Sequence, residues 1–258
     1  MHDPEPSVDL ERLAVAVAEE SAAVIRERLG RERSLGAKSS PTDVVTQTDL
    51  DAEALIRSRL AVATPNAGFI GEESAATMSS ARLQWIVDPL DGTVNFLYGL
   101  PVVAVSVGAA LDGRVVAGAV VDVLTGETFS ATDGQGARLA GQPIHVSRCA
   151  TLDQALVTTG FSYRAHVRKL QADVVHRLLP AARDIRCFGS AALQLCWVGA
   201  GRVDAYFERD TKIWDYAAAA LVAGEAGAVT ELPCPENDGL VIAAPPAVFM
   251  ELRDLVQT

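Results

Sequence analysis

The sequence predicts a fold of the α+β or mixed α/β class, in which two layered halves pack together. The residue pattern of 101–131 is typical of an antiparallel meander, with Asp112-Gly113 as a hairpin signal. After about residue 148, helical patterns alternate with short strand candidates. Hydrophobic residues make up 49% of the 258 residues, which is enough to bury a large core.

This change of residue pattern after about residue 148 predicts that the chain divides into two halves. We expect a flexible N-terminal segment at residues 1–7, an N-terminal α+β half at residues 8–147 and a C-terminal α/β half at residues 148–258. The two halves are expected to pack as one compact unit.

Two helices are predicted ahead of the meander. The first covers residues 8–29, where apolar residues recur on one face and Ser7 stands in the position of a cap. The second covers residues 48–60, where Thr48 and Asp51 have capping-box spacing.

The C-terminal half is predicted to alternate helices with strands. Helical patterns cover residues 166–179, 190–198 and 214–226, and strand candidates cover residues 185–188, 205–208 and 240–243. Pro245-Pro246 then precedes a last helix at residues 247–256.

The charge balance disfavours nucleic acid as a partner. The formal net charge is −11, and no cluster of Lys and Arg is long enough to follow a nucleic-acid backbone. An acidic surface also repels phosphate groups. If this chain binds a phosphate, something other than its overall field must attract it, and a bound cation would do so.

Membrane and secreted classes are disfavoured as well. The most apolar stretch, residues 101–111, is too short to cross a bilayer, and residues 1–7 contain no apolar leader. The 4 cysteines show no CxxC pair and no zinc spacing. We therefore expect a cytoplasmic protein with no membrane partner.

The most specific motif is Asp88-Pro89-Leu90-Asp91-Gly92-Thr93, which follows a short strand predicted at residues 85–87. Its two carboxylates, with a stiff proline between them, are expected to leave a turn from which both point at one centre. Gly92 permits close backbone approach, and Thr93 is expected to open a short helix whose N–H groups suit a phosphate. Carboxylate oxygens suit Mg²⁺. A simple capped turn is the alternative, which the whole hexapeptide after an apolar strand disfavours.

Other acidic residues stand where loops or strands meet helices. Glu72 lies in Gly71-Glu72-Glu73-Ser74, Asp215 opens an apolar helix, and Asp49 is in a first helical turn. Each is an ordinary position for an acid when taken alone. A cluster of Glu72 and Asp215 with the two aspartates of the hexapeptide would be untenable without cations, because buried like charges repel and lose hydration. These residues support a divalent-metal site but do not by themselves identify a reaction.

The motifs resemble those of the inositol monophosphatase family, in family order and over nearly the whole chain. The resemblance rests on Gly71-Glu72-Glu73-Ser74, on residues 85–96, on residues 214–227, and on Lys38-Ser39-Ser40-Pro41 together with Asp49. It implies the layered αβαβα sandwich of the inositol monophosphatase and fructose-1,6-bisphosphatase type. A homodimer and sensitivity to lithium are implied in the same way.

The resemblance also implies Mg²⁺ as the cofactor. The first ion would be held by Glu72, Asp88 and the Leu90 carbonyl, and the second by Asp88, Asp91 and Asp215. Glu72 would also touch a more weakly held third ion, with Lys38 nearby.

Catalytic roles are implied for residues beside these ligands. Asp49 and Thr93 would orient and deprotonate the attacking water, with Glu72 and Lys38 completing the catalytic set. The backbone amides of Gly92 and Thr93 would receive the phosphate.

The implied reaction is hydrolysis of inositol 1-phosphate, a small phosphorylated polyol, to inositol and phosphate. Glu208 lies seven residues before Asp215, the spacing at which inositol-specific members place a glutamate against a substrate hydroxyl. A strand-end acid in solvent is the equal alternative for Glu208. Ser190 and Asp215 are further candidate substrate contacts. Arg164 and Arg186 either reach the pocket or a dimer contact, or lie on the surface.

Three alternatives stay open. A relative that acts on histidinol phosphate, fructose 1,6-bisphosphate or 3′-phosphoadenosine 5′-phosphate would use the same metal core. A non-catalytic role in association with RNA polymerase or RNA is the second, and the acidic balance argues against direct RNA contact. A structural metal-binding protein is the third, but Asp49, Thr93 and Gly92 suggest an open, reactive position.

Overall fold

The structure of the protein, a computed structural model, describes residues 9–32, 34–37, 44–77 and 81–257. Its helices are α1 Leu10–Arg28, α2 Gln47–Ala63, α3 Thr93–Tyr98, α4 Ala165–Leu178, α5 Ala191–Gly199, α6 Ile213–Glu225 and α7 Pro246–Gln257. Its strands are β1 Gly36–Ala37, β2 Val44–Val45, β3 Gly68–Gly71, β4 Leu83–Asp91, β5 Ala104–Leu111, β6 Arg114–Asp122, β7 Thr128–Thr132, β8 Ala137–Leu139, β9 Gln142–Pro143, β10 Leu156–Thr159, β11 Asp184–Cys187, β12 Ala205–Arg209, β13 Val229–Glu231 and β14 Leu240–Ala244. The segment of residues 1–7 and the motif of residues 38–41, which includes Lys38, lie outside the described residues.

The elements stack as alternating layers of helices and sheets. Helices α1 and α2 pack on one face of a seven-stranded sheet, and α5 and α6 separate that sheet from a five-stranded one. Helices α4 and α7 cover the far face of the five-stranded sheet. Three large clusters of buried apolar side chains fill the spaces between the layers, and one of them lies on both sides of the middle helical layer. This order confirms the predicted αβαβα sandwich.

Both large sheets are mixed. In the seven-stranded sheet β3 and β4 are parallel and the later pairs antiparallel, and the predicted hairpin at Asp112-Gly113 joins β5 to β6. In the five-stranded sheet, of order β11-β10-β12-β14-β13, β10 runs parallel to both its neighbours. The strands of the first sheet precede residue 148 and those of the second follow it. Within the described ranges, no helix is long and apolar enough to cross a membrane.

The cap of the second helix lies two residues before the predicted one, and the helix begins at Gln47. Thr46 has extended backbone and caps α2, since its hydroxyl accepts the N–H of Asp49 at 3.4 Å. Its own N–H donates to Asp49 Oδ2 at 2.8 Å, which completes a capping box. The predicted box of Thr48 and Asp51 is therefore wrong. Thr48 already lies inside the first helical turn, where its side chain cannot cap.

The paired aspartates lie in a strand rather than in the predicted turn, because β4 continues to Asp91. Asp88 pairs with Ser106 and Asp91 with Ala104, so three steps on β4 face two steps on β5. The extra residue makes a β-bulge, and Pro89, which has no N–H, is tolerated at such a break in the ladder. Residues three apart on a regular strand point to opposite faces. The bulge allows the carboxylates of Asp88 and Asp91 to lie on the same side of the sheet.

Gly118 on β6 lies directly against α6. A Cβ at this position would lie 2.8 Å from Ala218 Cβ and 3.0 Å from Ala218 Cα. We predict that Gly118→Ala lowers the free energy of unfolding by about 1–3 kcal/mol, because helix and sheet must separate. Gly224→Ala is the matched control in α6, where the nearest atoms are 4.0 Å away, and it should stabilise by about 0.5–1 kcal/mol. Denaturant unfolding measures both; equal effects of the two changes would contradict this account of the packing.

Candidate active site

The carboxyl groups predicted as metal ligands meet where β3 and β4 end and α6 begins. Asp88 and Asp91 lie in the last part of β4, and Glu72 directly follows β3. Because β3 and β4 are parallel, their carboxyl ends share one edge of the sheet. Asp215 is in the first turn of α6, which packs across β4, β5 and β6. The structure therefore brings all these groups into one electrostatic environment.

Asp88 is the most strongly affected member of this group. It is 2% exposed, and burial raises its pKa well above the ordinary value. The negative charges of Glu72, Asp91 and Asp215 raise the pKa further. The N–H of Leu90 donates to Asp88 Oδ1 at 3.0 Å and opposes the rise.

Asp91 is held from the C-terminal half of the chain. Burial raises its pKa to about 6, while donated hydrogen bonds limit the rise. The Ser190 hydroxyl donates to Asp91 Oδ2 at 2.6 Å, and the Ala192 N–H donates to the same oxygen at 2.8 Å. Ser190 also caps α5. The predicted contact of Ser190 with substrate stays a prediction beside this observed contact with the aspartate.

Asp215 repeats this pattern at the start of α6. Burial raises its pKa well above the ordinary value, and the N–H of Lys212, 2.6 Å from Oδ2, opposes the rise. The charges of Asp91, Glu72 and Glu208 raise the pKa again. The anionic form of each of these aspartates is therefore destabilised by burial and by its neighbours.

The chemistry of this group fits a hard divalent cation. Its donors are carboxylate and carbonyl oxygens, and a bound cation would reverse the repulsion that raises the pKa values. Among the residues that the structure describes, no three His, Cys, Asp or Glu side chains form a group that could hold a metal ion. Mg²⁺ commonly takes one or two carboxylates and completes its shell with water and substrate oxygens. The set of three aspartates for one ion stays a prediction.

Asp49 and Thr93 come together from positions 44 residues apart. The Thr93 hydroxyl donates to Asp49 Oδ1 at 3.0 Å and also lies 3.2 Å from the Leu90 carbonyl. The second oxygen of Asp49 accepts the N–H and the hydroxyl of Thr46, so the capping box fixes this carboxylate. Lys38, predicted beside this pair, lies outside the described residues.

The turn into α3 requires glycine. Gly92 has a φ of 95°, and a Cβ there would lie 2.8 Å from the Val102 carbonyl oxygen. The side-chain amide of Asn95 donates to the carbonyls of Val102 at 2.8 Å and Phe188 at 2.7 Å. Asn95 thus ties α3 to the segment that leads into α5. Sequence reasoning missed this role, although Asn95 stands inside the central motif.

Glu208 lies on β12 and faces the acidic group from the C-terminal half. Burial raises its pKa to about 7, the hydrogen bond from Tyr206 lowers it, and the charge of Asp91 raises it. The Tyr206 hydroxyl donates to Glu208 Oε2 at 2.9 Å. Glu208 is therefore a desolvated carboxyl whose partner is Tyr206. The structure does not support the alternative of a strand-end acid in open solvent.

The two arginines singled out in the sequence form ion pairs within the chain. Arg164 Nε donates to Asp210 Oδ2 at 3.0 Å, and Arg186 lies 2.5 Å from Asp184. Asp210 has a φ of 73° and also accepts the hydroxyl of Ser162. Arg164 therefore braces the loop between Glu208 and α6.

Glu53 is a buried carboxylate that sequence reasoning missed. It is 3% exposed, accepts the N–H of Glu73 at 2.8 Å and accepts the hydroxyl of Ser74. Its position one helical turn after Asp49 was the available signal, because residues four apart share a helix face. Glu53 thereby anchors the loop that carries Glu72.

The inositol monophosphatase family model matches residues 8–253. The inositol-1-monophosphatase SuhB of Mycobacterium tuberculosis (strain ATCC 25618 / H37Rv) is 43% identical over 277 residues, which cover 99% of this chain and 95% of that protein. The Nus factor SuhB of Pasteurella multocida (strain Pm70) is 35% identical over 255 residues, which cover 95% and 94%. The crystal structure of the extragenic suppressor protein suhB from Bartonella henselae matches with a TM-score of 0.88 at 30% identity, over 95% of this chain and 97% of that one. The matched residues include every element that positions the site.

We predict that Glu53→Ala loosens the loop after β3. The change removes the acceptor of the Glu73 N–H and the Ser74 hydroxyl, which should cost about 1–3 kcal/mol of stability. Hydrogen exchange of the Glu73 amide should become faster than in the unchanged protein. Glu20→Ala is the control, since Glu20 binds Arg59 in an exposed ion pair, and it should change little. Unchanged exchange at Glu73 would exclude an anchoring role for Glu53.

Proposed function

The chain belongs to the inositol monophosphatase family, and from this membership we propose that it is a Mg²⁺-dependent phosphatase that hydrolyses inositol 1-phosphate to inositol and phosphate. The observation that carries the proposal is the group of buried and half-buried aspartates beside the hydrogen-bonded pair of Asp49 and Thr93. Such a pairing suits a reaction in which water attacks a phosphate near bound cations.

The metal ligands proposed follow the family resemblance. Glu72, Asp88 and the Leu90 carbonyl would hold one Mg²⁺, and Asp88, Asp91 and Asp215 a second. A weaker third ion would contact Glu72. When bound, these ions would neutralise the phosphate charge and lower the pKa of a coordinated water molecule.

The Thr93 hydroxyl is proposed to orient the attacking water. Because this hydroxyl donates to Asp49 Oδ1, its lone pairs are directed to accept a hydrogen bond from water. During attack, the proton of water would pass to Thr93 Oγ1 while the Thr93 proton passes to Asp49 Oδ1. The Thr46 contacts keep Asp49 in place for this transfer. Lys38 and Glu72 complete the proposed catalytic set.

The phosphate is proposed to bind at the turn between β4 and α3. The N–H groups of Gly92 and Thr93 stand at the start of α3, and backbone donors at such a start suit an anion. They need no reorganisation during the reaction, which favours a transition state whose charge is spread over the phosphoryl oxygens.

The alcohol part of the substrate is proposed to face the C-terminal half. Glu208 would accept a hydrogen bond from a ring hydroxyl, and Ser190 and Asp215 would lie beside the ring. The name inositol-1-monophosphatase, which the Mycobacterium tuberculosis relative carries, supports this substrate. Histidinol phosphate, fructose 1,6-bisphosphate and 3′-phosphoadenosine 5′-phosphate remain the competing esters, since the metal core does not distinguish them.

A second candidate function is participation in a transcription complex. It is favoured by the similarity to the Pasteurella multocida protein named Nus factor SuhB. The net charge of −11 disfavours direct contact with RNA, so such a role would rest on contacts with protein. It would not exclude phosphatase activity in the same chain.

A homodimer in the cytoplasm is also part of the proposal. Tyr98 and Leu100, at the end of α3, are 80% and 50% exposed and offer apolar surface for a contact between copies.

We predict that the purified protein releases phosphate from inositol 1-phosphate only when Mg²⁺ is present. A panel with the three competing esters, run with Mg²⁺ and with a chelator, measures this. Preference for inositol 1-phosphate is the expected result. Preference for another ester would overturn the substrate and keep the metal mechanism, and no release from any ester would overturn the proposed activity.

We predict that Asp91→Asn lowers kcat/KM by about 100-fold or more, because one metal ligand loses its charge. Asp112→Asn at the exposed hairpin is the control and should retain activity.

The effect of Asp91→Asn on stability follows from the pKa of Asp91. This pKa is raised from 3.8 to about 6, so ionisation of Asp91 lowers the free energy of unfolding as the pH rises through that window. Metal-free Asp91→Asn should therefore be at least as stable at pH 7 as the unchanged protein.

Near-normal turnover by folded Asp91→Asn would contradict the predicted loss of kcat/KM and would exclude Asp91 as a metal ligand.

A further inference from the structure

We infer that Tyr206 and Gly160 together set the position of the Glu208 carboxylate, which makes Tyr206 a positioning residue for recognition of the alcohol part of the substrate. The inference rests on the proposed function, because it concerns the polyol end of the ester.

Tyr206 holds one oxygen of Glu208 from within the sheet. The two residues are two apart on β12 and therefore point to the same face. Tyr206 is 0% exposed, in a strand that pairs with β10 on one side and β14 on the other. Its hydroxyl donates to Glu208 Oε2 at 2.9 Å. A fully packed ring on a central strand gives this donor little freedom to move.

Gly160 provides the space that the carboxylate occupies. A Cβ at this position would lie 2.1 Å from Glu208 Oε2 and 2.4 Å from Oε1. Gly160 is not in the left-handed region of backbone conformation, so its φ does not require glycine. Glycine is required here because a Cβ would occupy the space that the Glu208 carboxylate fills. The carboxylate is therefore confined by a donor and by the backbone after β10.

This confinement matters because Glu208 stands among other acids. The charge of Asp91 acts on it, and its own charge acts on Asp215. A free side chain would turn away from these charges and toward water. With Oε2 held by Tyr206, Oε1 keeps its acceptor capacity for a substrate hydroxyl. A fixed acceptor at a fixed distance from the phosphate site selects esters that carry a hydroxyl at the matching position.

The closing experiment compares inositol 1-phosphate with phenyl phosphate, which has no ring hydroxyl. Steady-state kinetics with Mg²⁺ give kcat/KM for each ester, and their ratio reports recognition of the alcohol. We expect Tyr206→Phe, Gly160→Ala and Glu208→Ala each to lower this ratio by about 5- to 20-fold. Tyr98→Phe, which removes the same atom from an exposed ring, is the control and should keep the ratio.

A double variant separates positioning from general damage to the fold. If Tyr206 acts through Glu208, adding Tyr206→Phe to Glu208→Ala should lower the ratio no further. Carboxyl NMR adds a readout independent of turnover: in Tyr206→Phe the pKa of Glu208 should rise above its value of about 7, because the hydrogen bond that lowers it is gone.

The outcomes distinguish the inference from the proposed function. If Glu208→Ala lowers the ratio and Tyr206→Phe does not, the positioning role is overturned and the proposed function stands. An unchanged pKa of Glu208 in Tyr206→Phe also overturns the positioning role. If the unchanged protein shows no preference for inositol 1-phosphate, the proposed substrate fails and the inference fails with it.

Discussion

The repulsion among buried carboxyl groups is the constraint on which the rest of this structure depends. Burial raises the pKa values of Asp88, Asp91 and Asp215, and each is raised further by acidic neighbours. Such groups do not come together unless the surrounding fold imposes their positions. The bulge in β4, the parallel pairing of β3 with β4 and the packing of α6 on the first sheet impose them here.

The N-termini of three helices stabilise carboxylates of this site. Asp49 sits in the first turn of α2, Asp215 in the first turn of α6, and Asp91 accepts an N–H from the first turn of α5. Unpaired N–H groups and the positive end of the helix dipole favour a negative charge at each place. The middle helical layer thus serves the site as well as the core. Its two helices belong to the C-terminal half, while the aspartates of β4 belong to the N-terminal half.

The sequence predicted the elements with strong periodicity and the residues inside compact motifs. Helices such as α4 and α6 were placed within a residue or two, because their apolar spacing is regular. The bulge at Pro89 was read as a turn, because Asp, Pro and Gly favour turns locally and only the pairing with β5 shows otherwise. The partners of Glu53 and Tyr206 were missed for the same reason. Their roles depend on contacts across the fold, which leave no trace in local spacing.

The fold separates the residues proposed for the reaction from those proposed to recognise the alcohol. The residues proposed for water activation and phosphate binding lie on α2, β4 and α3, before residue 148. Glu208 and Tyr206 lie on β12, in the other sheet. If the proposed roles hold, a change on β12 or after β10 alters which hydroxyl is recognised without moving the bulge in β4. On this proposal, the motifs around the predicted metal ligands indicate the class of reaction, whereas the substrate must be argued from the environment of one carboxylate in the second sheet.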